Sequence, residues 1–191
     1  MLQGMGRIPP LDPAPSDGVV TLRPWRPSDI AAITAACQDG GIQRWTMVPD
    51  DYSEDDARSF VAYAAASRDA GASLELAVVD AGNEDEVLGA VGLVHIAWDS
   101  AQAEIGYWTA PTARRRGVAV RAVRVLSAWS FTALGLTRLH LMPFAGNGPS
   151  QRVAERAGYT REGVLRAYYR SKRGLVDVVM YSLLRDDPRP G

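Results

Sequence analysis

A strand–helix–strand pattern between residues 102 and 144 limits the fold more than any other feature of this sequence. The segments "QAEIGYWTA" and "TRLHLMPF" are typical of strands. Between them, apolar residues recur near helical spacing until Gly135 ends the run: Val118, Val120, Val123, Leu126, Trp129 and Leu134. Because crossovers of this kind follow a fixed hand, we predict that the two strands are parallel neighbours in one sheet.

The segments before this unit predict two helices and a hairpin. "VVTLRPW" indicates a strand that its proline limits to an edge or an end. "PSDIAAITAACQD" predicts a helix with Ser28 as N-cap, and "YSEDDARSFVAYAAASRDAG" a second helix between Ser53 and Gly71. "LELAVVD" and "EVLGAVGLVHIAW" read as two strands joined by the turn "AGNED".

The remaining chain predicts a short helix and a closing hairpin. "SQRVAERAG" is expected to begin at Ser150 as N-cap and to end at Gly158. "TREGVLRAYYR" and "LVDVVMYSLL" follow as strands around "SKRG". The sum is a mixed α/β domain of about seven strands and four helices. We expect a flexible arm at residues 1–18, one domain at 19–186 and a tail at 187–191.

Charge and composition argue against several classes of protein. Lys and Arg number 21 against 22 Asp and Glu, which gives no general attraction to nucleic acid. With Cys37, His95 and His140 as the full set of cysteines and histidines, we expect no metal site. The first residues contain no long apolar run, so we expect neither a signal peptide nor a membrane helix, and a cytoplasmic location.

The loop "RRRGVAV" joins the strand that ends at Thr109 to the long helix that begins near Val118. A strand–loop–helix turn directs free backbone N–H groups and the helix dipole at one point, which suits a phosphate. Gly117 lets the backbone approach a ligand, and Ala119 is small. On this segment alone, a solvated arginine-rich loop fits equally well.

Several motifs together resemble one family. They are "LRPWRPSD", "AEIGYW", "RRRGVA", "NGPS", "ERAGYTREGVLR" and "DVVMYSL", in this order. From roughly Val19 to Leu184 the chain resembles the GNAT superfamily of N-acyltransferases, most of all its RimJ/RimL-type branch, which acetylates N-terminal amines of ribosomal proteins and other amines. The resemblance implies a mostly antiparallel seven-stranded sheet, splayed between its fourth and fifth strands.

The resemblance also implies a site for acetyl-CoA in that splay. Backbone amides of the loop would hold the pyrophosphate: Arg115, Arg116, Gly117, Val118 and Ala119. Ala119 stands where the family's commonest form has glycine. The strand edge would bind the pantetheine arm through Tyr107, Trp108 and Thr109, and Asn147 would contact the same arm or fix its loop. Arg114 and a neighbouring arginine would reach the adenosine phosphates.

For the chemistry, the resemblance implies that Glu104 accepts the proton of the amine; a structural glutamate paired with an arginine is the alternative. A backbone N–H near Tyr107 or Trp108 would meet the oxyanion. Many relatives protonate the thiolate with a tyrosine, but Ala154 stands at that position here. Ser150 is the donor proposed for the RimJ/RimL-type branch. It fits equally as a helix cap only, and a third alternative is that the thiolate leaves unassisted.

Other residues have open roles. His95 and His140 are expected to be packing or strand-face residues, and Cys37 a small core residue. Five aromatic residues line an acceptor pocket, or else belong to the core or a dimer contact: Trp25, Trp45, Tyr52, Tyr168 and Tyr169.

The leading hypothesis is an N-acetyltransferase that uses acetyl-CoA and no metal. Its acceptor is a primary amine, either a protein N-terminus or a small molecule. A relative that uses succinyl-CoA, and a catalytically weak acyl-CoA-binding module, are the alternatives. We expect no nucleic-acid or membrane partner. A homodimer is an alternative to a monomer, because relatives are often dimers.

Overall fold

The computed structural model describes residues 6–188, whose backbone forms one seven-stranded sheet and five α-helices. The strands are β1 (Val20–Pro24), β2 (Leu74–Asp80), β3 (Asn83–Ala97), β4 (Gln102–Thr109), β5 (Arg138–Leu141), β6 (Thr160–Ser171) and β7 (Gly174–Leu184). The helices are α1 (Ile30–Cys37), α2 (Gly40–Trp45), α3 (Glu54–Asp69), α4 (Val118–Ala133) and α5 (Gly148–Arg156).

The strand order confirms the predicted topology. It runs β1-β2-β3-β4-β5-β7-β6, so β1 and β6 are the edges. Every neighbouring pair is antiparallel except β4 and β5, which are parallel and are joined by the crossover helix α4. The strand–helix–strand unit of the sequence is therefore the centre of the fold.

The pairing between β4 and β5 is short, and this opens the sheet. It runs from the pair Gln102 and Arg138 to the pair Glu104 and His140. Beyond it the chain of β5 follows β7 instead, since Val179 N–H donates to the carbonyl oxygen of Pro143 at 2.9 Å. The last five residues of β4, 105–109, are left without a partner on the β5 side.

Helices cover both faces of the sheet. Helix α4 packs on β1, β3 and β4 and contacts α5, whereas α1 and α3 contact each other and pack on β3 and β2 respectively. Each face has its own cluster of buried apolar side chains, with Leu126 in the first and Ile33 in the second. Glu104 lies at the last paired position of β4 and β5, where the gap in the sheet begins.

The residues before β1 lie against the domain. Ile8 is 7% exposed and belongs to the core cluster on the α4 side. Leu22 N–H donates to the carbonyl oxygen of Pro15, and Ser16 pairs with Thr21. Residues 1–5 and 189–191 of the expected arm and tail lie outside the described residues, and the domain boundaries stay a prediction.

Two helix starts differ from the sequence prediction. Ser28 does not cap α1: it lies inside a 3₁₀ turn, Pro27–Asp29, and α1 begins at Ile30. Ser53 does cap α3 as predicted, accepting from Asp56 N–H. Helix α2 was not expected. Its N-cap Asp39 accepts from Gly41 and Ile42 N–H, which stabilises a helix that two glycines obscure in the sequence.

A buried ion pair ties β1 to α1. Arg23 donates to both carboxyl oxygens of Asp29, at 2.8 and 2.9 Å, and each side chain is 4% exposed. Asp29 also accepts from Arg26 N–H, and Arg23 donates to the carbonyl oxygen of Glu84. The bidentate geometry satisfies both charges inside the protein, so losing one partner leaves the other buried and unpaired.

We therefore expect Asp29→Asn to lower the free energy of unfolding by about 3–5 kcal/mol, because the guanidinium of Arg23 stays buried without its counter-charge. Urea denaturation of both proteins measures the difference. The matched control is Glu84→Gln, which breaks the half-exposed pair of Glu84 with Arg26 and should cost less than about 1 kcal/mol. Equal losses in the two variants would contradict the importance of the buried pair.

Candidate active site

The cleft between β4 and β5 opens beside the turn that leads into α4. A short 3₁₀ turn, Pro111–Ala113, follows β4, and α4 begins at Val118 as predicted. Arg115 has φ 64° and Gly117 has φ 77°, both in the left-handed region. These two left-handed residues fold the loop into a tight turn directly before the helix.

The turn presents backbone amides to open space. Gly117 is the N-cap of α4, and no side chain caps the first N–H groups of the helix. A Cβ atom added at Gly117 would meet nothing within 4 Å, so the space over the turn is open. Free amides at the positive end of a sixteen-residue helix suit a phosphate group, and this fits the pyrophosphate of an acyl-CoA.

The three arginines of the turn have different surroundings. Arg114 forms an ion pair with Asp39, the N-cap of α2, and this contact lowers the pKa of the Asp39 carboxyl. Arg116 lies 3.4 Å from Glu86. Within residues 6–188, no ion pair involves Arg115. Arg115 is thus the arginine whose charge the described protein leaves most available to a ligand.

Glu104 lies on β4 at the last paired position before the splay. Its side chain is 16% exposed, and burial raises the pKa of its carboxyl, partly offset by a contact with His95. The distance between Glu104 Oε2 and His95 Nδ1 is 3.4 Å. The alternative of a glutamate paired with an arginine is wrong, because the carboxyl contacts this histidine instead.

The two histidines differ. His95 was expected to be a packing or strand-face residue, yet its side chain is 79% exposed and its ring reaches Glu104. His140 is opposite Glu104 in the register of β5, and burial lowers its pKa. Alternation along β3 did not indicate the contact of His95, since in a regular strand it faces away from Glu104.

Ser150 is not the cap of α5. Asn147 is the N-cap, and its Oδ1 accepts from Ser150 N–H at 3.2 Å. The Ser150 hydroxyl instead lies 2.7 Å from the Tyr107 hydroxyl, which connects α5 to β4 across the splay. Burial raises the pKa of Tyr107 to about 12, so the phenol keeps its proton. Ala154, where many relatives carry a tyrosine, is fully buried in the core.

A cavity of about 300 Å³ lies on the α1 and α3 side of β4. Its lining is mostly apolar and includes the carboxylate of Asp56: Ile33, Cys37, Met47, Val48, Pro49, Tyr52, Asp56, Phe60 and Trp108. Cys37 is buried, as expected of a small core residue. Of the five aromatic residues considered for an acceptor pocket, Tyr52 lines this cavity. Trp108, which the resemblance assigns to the pantetheine arm, lines it as well.

The other aromatic residues divide between core and surface. Trp25 is 8% exposed and stacks on Trp108, with ring centroids 6.2 Å apart. Trp45 and Tyr169 both contact Phe144, at centroid distances of 6.4 and 5.6 Å. Tyr168 is 54% exposed.

The β6–β7 turn closes one side of this region. Lys172 Nζ donates to the carbonyl oxygen of Val48 at 2.6 Å and forms an ion pair with Asp50. The last hairpin of the chain is therefore attached to the segment between α2 and α3. Because Val48 is one of the cavity's lining residues, this hairpin contacts the cavity wall.

Neither a metal site nor a membrane-spanning helix occurs in residues 6–188. That part of the chain contains no group of three or more His, Cys, Asp or Glu side chains placed to hold a metal ion. It also contains no helix with the length and hydropathy needed to cross a membrane.

Comparisons with known proteins agree with the geometry. The family described as "Acetyltransferase (GNAT) domain" matches residues 20–160. Uncharacterized N-acetyltransferase p20 of Bacillus licheniformis is 37% identical over 101 residues, which are 53% of this chain and 57% of that protein. The chain thus aligns with little more than half the length of this curated relative.

Solved structures show the same fold. RimJ of Mycobacterium smegmatis in complex with CoA-disulfide has a TM-score of 0.78 and 23% identity, covering 88% of this chain and 83% of its own. RimL, a ribosomal alpha-N-protein acetyltransferase in complex with coenzyme A, has a TM-score of 0.80 and 20% identity, covering 91% and 98%. On the sequence match across most of its length, together with this fold, the chain belongs to the GNAT acetyltransferase family.

Proposed function

We propose that this protein is an acyl-CoA-dependent N-acetyltransferase that moves the acetyl group of acetyl-CoA to a primary amine. The open left-handed turn at the start of α4, beside the splay of β4 and β5, carries this proposal. Known N-acetyltransferases of the same family and fold support it. The amine attacks directly while both substrates are bound.

The donor lies along the splay. Its pyrophosphate accepts from the backbone N–H groups of residues 115–119, and Arg115 adds a positive charge. The pantetheine arm follows the unpaired edge of β4 through Tyr107, Trp108 and Thr109, as an added strand pairs with a sheet. Asn147, which fixes the first turn of α5, lies at the opposite bank of this cleft.

The acceptor enters from the side of the cavity lined by Tyr52 and Trp108. A mostly apolar wall suits an amine that carries an apolar group, as a protein N-terminus or a small organic amine does. Glu104 takes the proton of the amine, directly or through water. Burial raises the pKa of its carboxyl, which makes the carboxylate a stronger base.

The other groups serve the tetrahedral intermediate. A backbone N–H near Tyr107 or Trp108 donates to the oxyanion. The C–S bond then breaks, and the hydroxyl of Ser150 gives its proton to the thiolate. Tyr107, 2.7 Å from Ser150, holds the serine hydroxyl in place, and Ser150 takes up a proton from water after CoA has left. This hydroxyl pair argues for an active enzyme over a module that only binds acyl-CoA, although it does not distinguish acetyl-CoA from succinyl-CoA.

Calorimetric titration with acetyl-CoA, succinyl-CoA and free CoA, followed by an amine screen, tests the proposal. We expect acetyl-CoA to bind and to support turnover. Binding without turnover on any amine would favour the weak binding module, and preference for succinyl-CoA would change the donor.

The variant Gly117→Val tests whether the turn at residues 115–119 binds the pyrophosphate. A branched side chain at φ 77° disfavours the native turn and occupies the open space over it, so we expect affinity for acetyl-CoA to fall at least about 100-fold in calorimetry. Gly18→Val is the matched control, because Gly18 also has positive φ and open space but lies before β1. Normal affinity for acetyl-CoA in Gly117→Val would contradict phosphate binding by this turn.

The variant Glu104→Gln tests the base. Because burial raises the pKa of Glu104, the unaltered enzyme loses its base as the pH falls through that raised value. We expect kcat/KM to fall about 100-fold or more in the variant, with loss of this acidic limb of the pH profile. Affinity for acetyl-CoA should stay unchanged. An unaltered pH profile would remove Glu104 from the mechanism.

The variant Ser150→Ala tests the proton donor without removing the cap, since Asn147 is the N-cap of α5. We expect kcat to fall about ten-fold or more with little change in the KM for acetyl-CoA. Ser127→Ala is the matched control, because Ser127 forms a similar hydroxyl pair with Tyr159 at 2.8 Å in the core. If both variants lose stability and neither loses activity after correction for folding, Ser150 is structural.

A further inference from the structure

Glu104 needs a route for the proton that it receives. The proposed function makes it the acceptor of one proton in each turnover, and that proton must leave before the next. Its side chain is 16% exposed, so its own contact with water is small. In the proposed ternary complex both substrates lie beside it, which reduces this contact further.

His95 connects this carboxyl to solvent. Its Nδ1 lies 3.4 Å from Glu104 Oε2, and its side chain as a whole is 79% exposed. No other hydrogen bond or ion pair of the Glu104 carboxyl is recorded within residues 6–188. The other titratable groups near the Glu104 carboxyl are His140 on β5 and Tyr169 on β6. Within residues 6–188, neither forms a hydrogen bond that connects this carboxyl to the surface.

A β-bulge directs His95 to this position. Val94 is paired with Glu104 and Ala97 with Gln102, so β3 contains one residue more than β4 in this interval. In a regular ladder, Val94 and Glu104 share a face and His95 points to the other one. The extra residue and the left-handed backbone of His95, with φ 51°, turn its ring toward Glu104 instead. Strained backbone of this kind at a non-glycine residue occurs preferentially at functional sites.

We propose that His95 carries the proton of Glu104 to solvent. The N–H bond of the acceptor amine breaks as an O–H bond forms on Glu104. That proton passes to the unprotonated ring nitrogen of His95, giving an imidazolium, and the other ring nitrogen releases a proton to water. The exposed ring rotates to present its free nitrogen again. His95 acts through Glu104 and touches no substrate.

The variant His95→Gly tests the relay, because it removes the imidazole and also relieves the left-handed backbone. We expect a melting temperature no lower than that of the unaltered protein and kcat reduced about ten-fold, with unchanged KM values for amine and acetyl-CoA. Added imidazole should restore kcat, since the position is open to solvent. His95→Gln, which retains a hydrogen-bond donor but cannot relay a proton, should show the same loss of kcat.

Ala101→Gly is the matched control, because Ala101 also has positive φ, at 53°, and precedes β4. Its activity should be unchanged and insensitive to imidazole. If His95→Gly retains full kcat, or loses kcat that imidazole does not restore, the relay is overturned. Failure of the proposed function is distinct, because the unaltered protein would then acetylate no amine at all, and the relay would fall with it.

Discussion

The departure of β5 from β4 is the constraint on which the rest of the structure depends. Pro143 has no N–H to donate to a ladder, and the chain around it pairs with β7: Val179 N–H donates to Pro143, and Ala145 N–H donates to Asp177. The sheet stays continuous on the far side of β5, so the opening faces β4 alone. A gap in the middle of a sheet is stable here because β4 stays paired with β3 and β5 stays paired with β7.

The two ends of this gap have opposite electrostatic character. The start of α4 presents N–H groups and a positive dipole, and Arg115 adds a charge. Glu104 lies at the other end, where burial makes ionisation costly. The gap thereby suits a ligand with an anionic end and a neutral end in one direction only. Asp39 links α2 to Arg114, so this helix is also connected to the turn before α4.

Elements with strong periodicity were predictable from the sequence, and this includes the parallel pair β4 and β5. Helix α2 was not predicted because it is short and begins with two glycines. Its N-cap Asp39 is recognisable only in the folded structure. The N-cap of α5 was misassigned because Asn147 and Ser150 are both good caps, and local propensity cannot choose between them.

The backbone of the turn before α4 was predictable from the sequence, whereas contacts that depend on strand register were not. Gly117 marks this turn because the turn requires positive φ there. His95 was missed because alternation along β3 assigns it to the wrong face, and the bulge that reverses this has no clear signal in the sequence. The pair of Tyr107 and Ser150 joins residues 43 positions apart, which no local pattern can indicate.

The contact of Lys172 with Val48 joins the last hairpin to the cavity, because Val48 is one of the lining residues. The turn before α4 and the open edge of β4 lie within the segment that matches the family, residues 20–160, whereas the β6–β7 turn lies beyond it. A substitution at Lys172 therefore acts on the cavity through Val48 and does not touch the turn before α4.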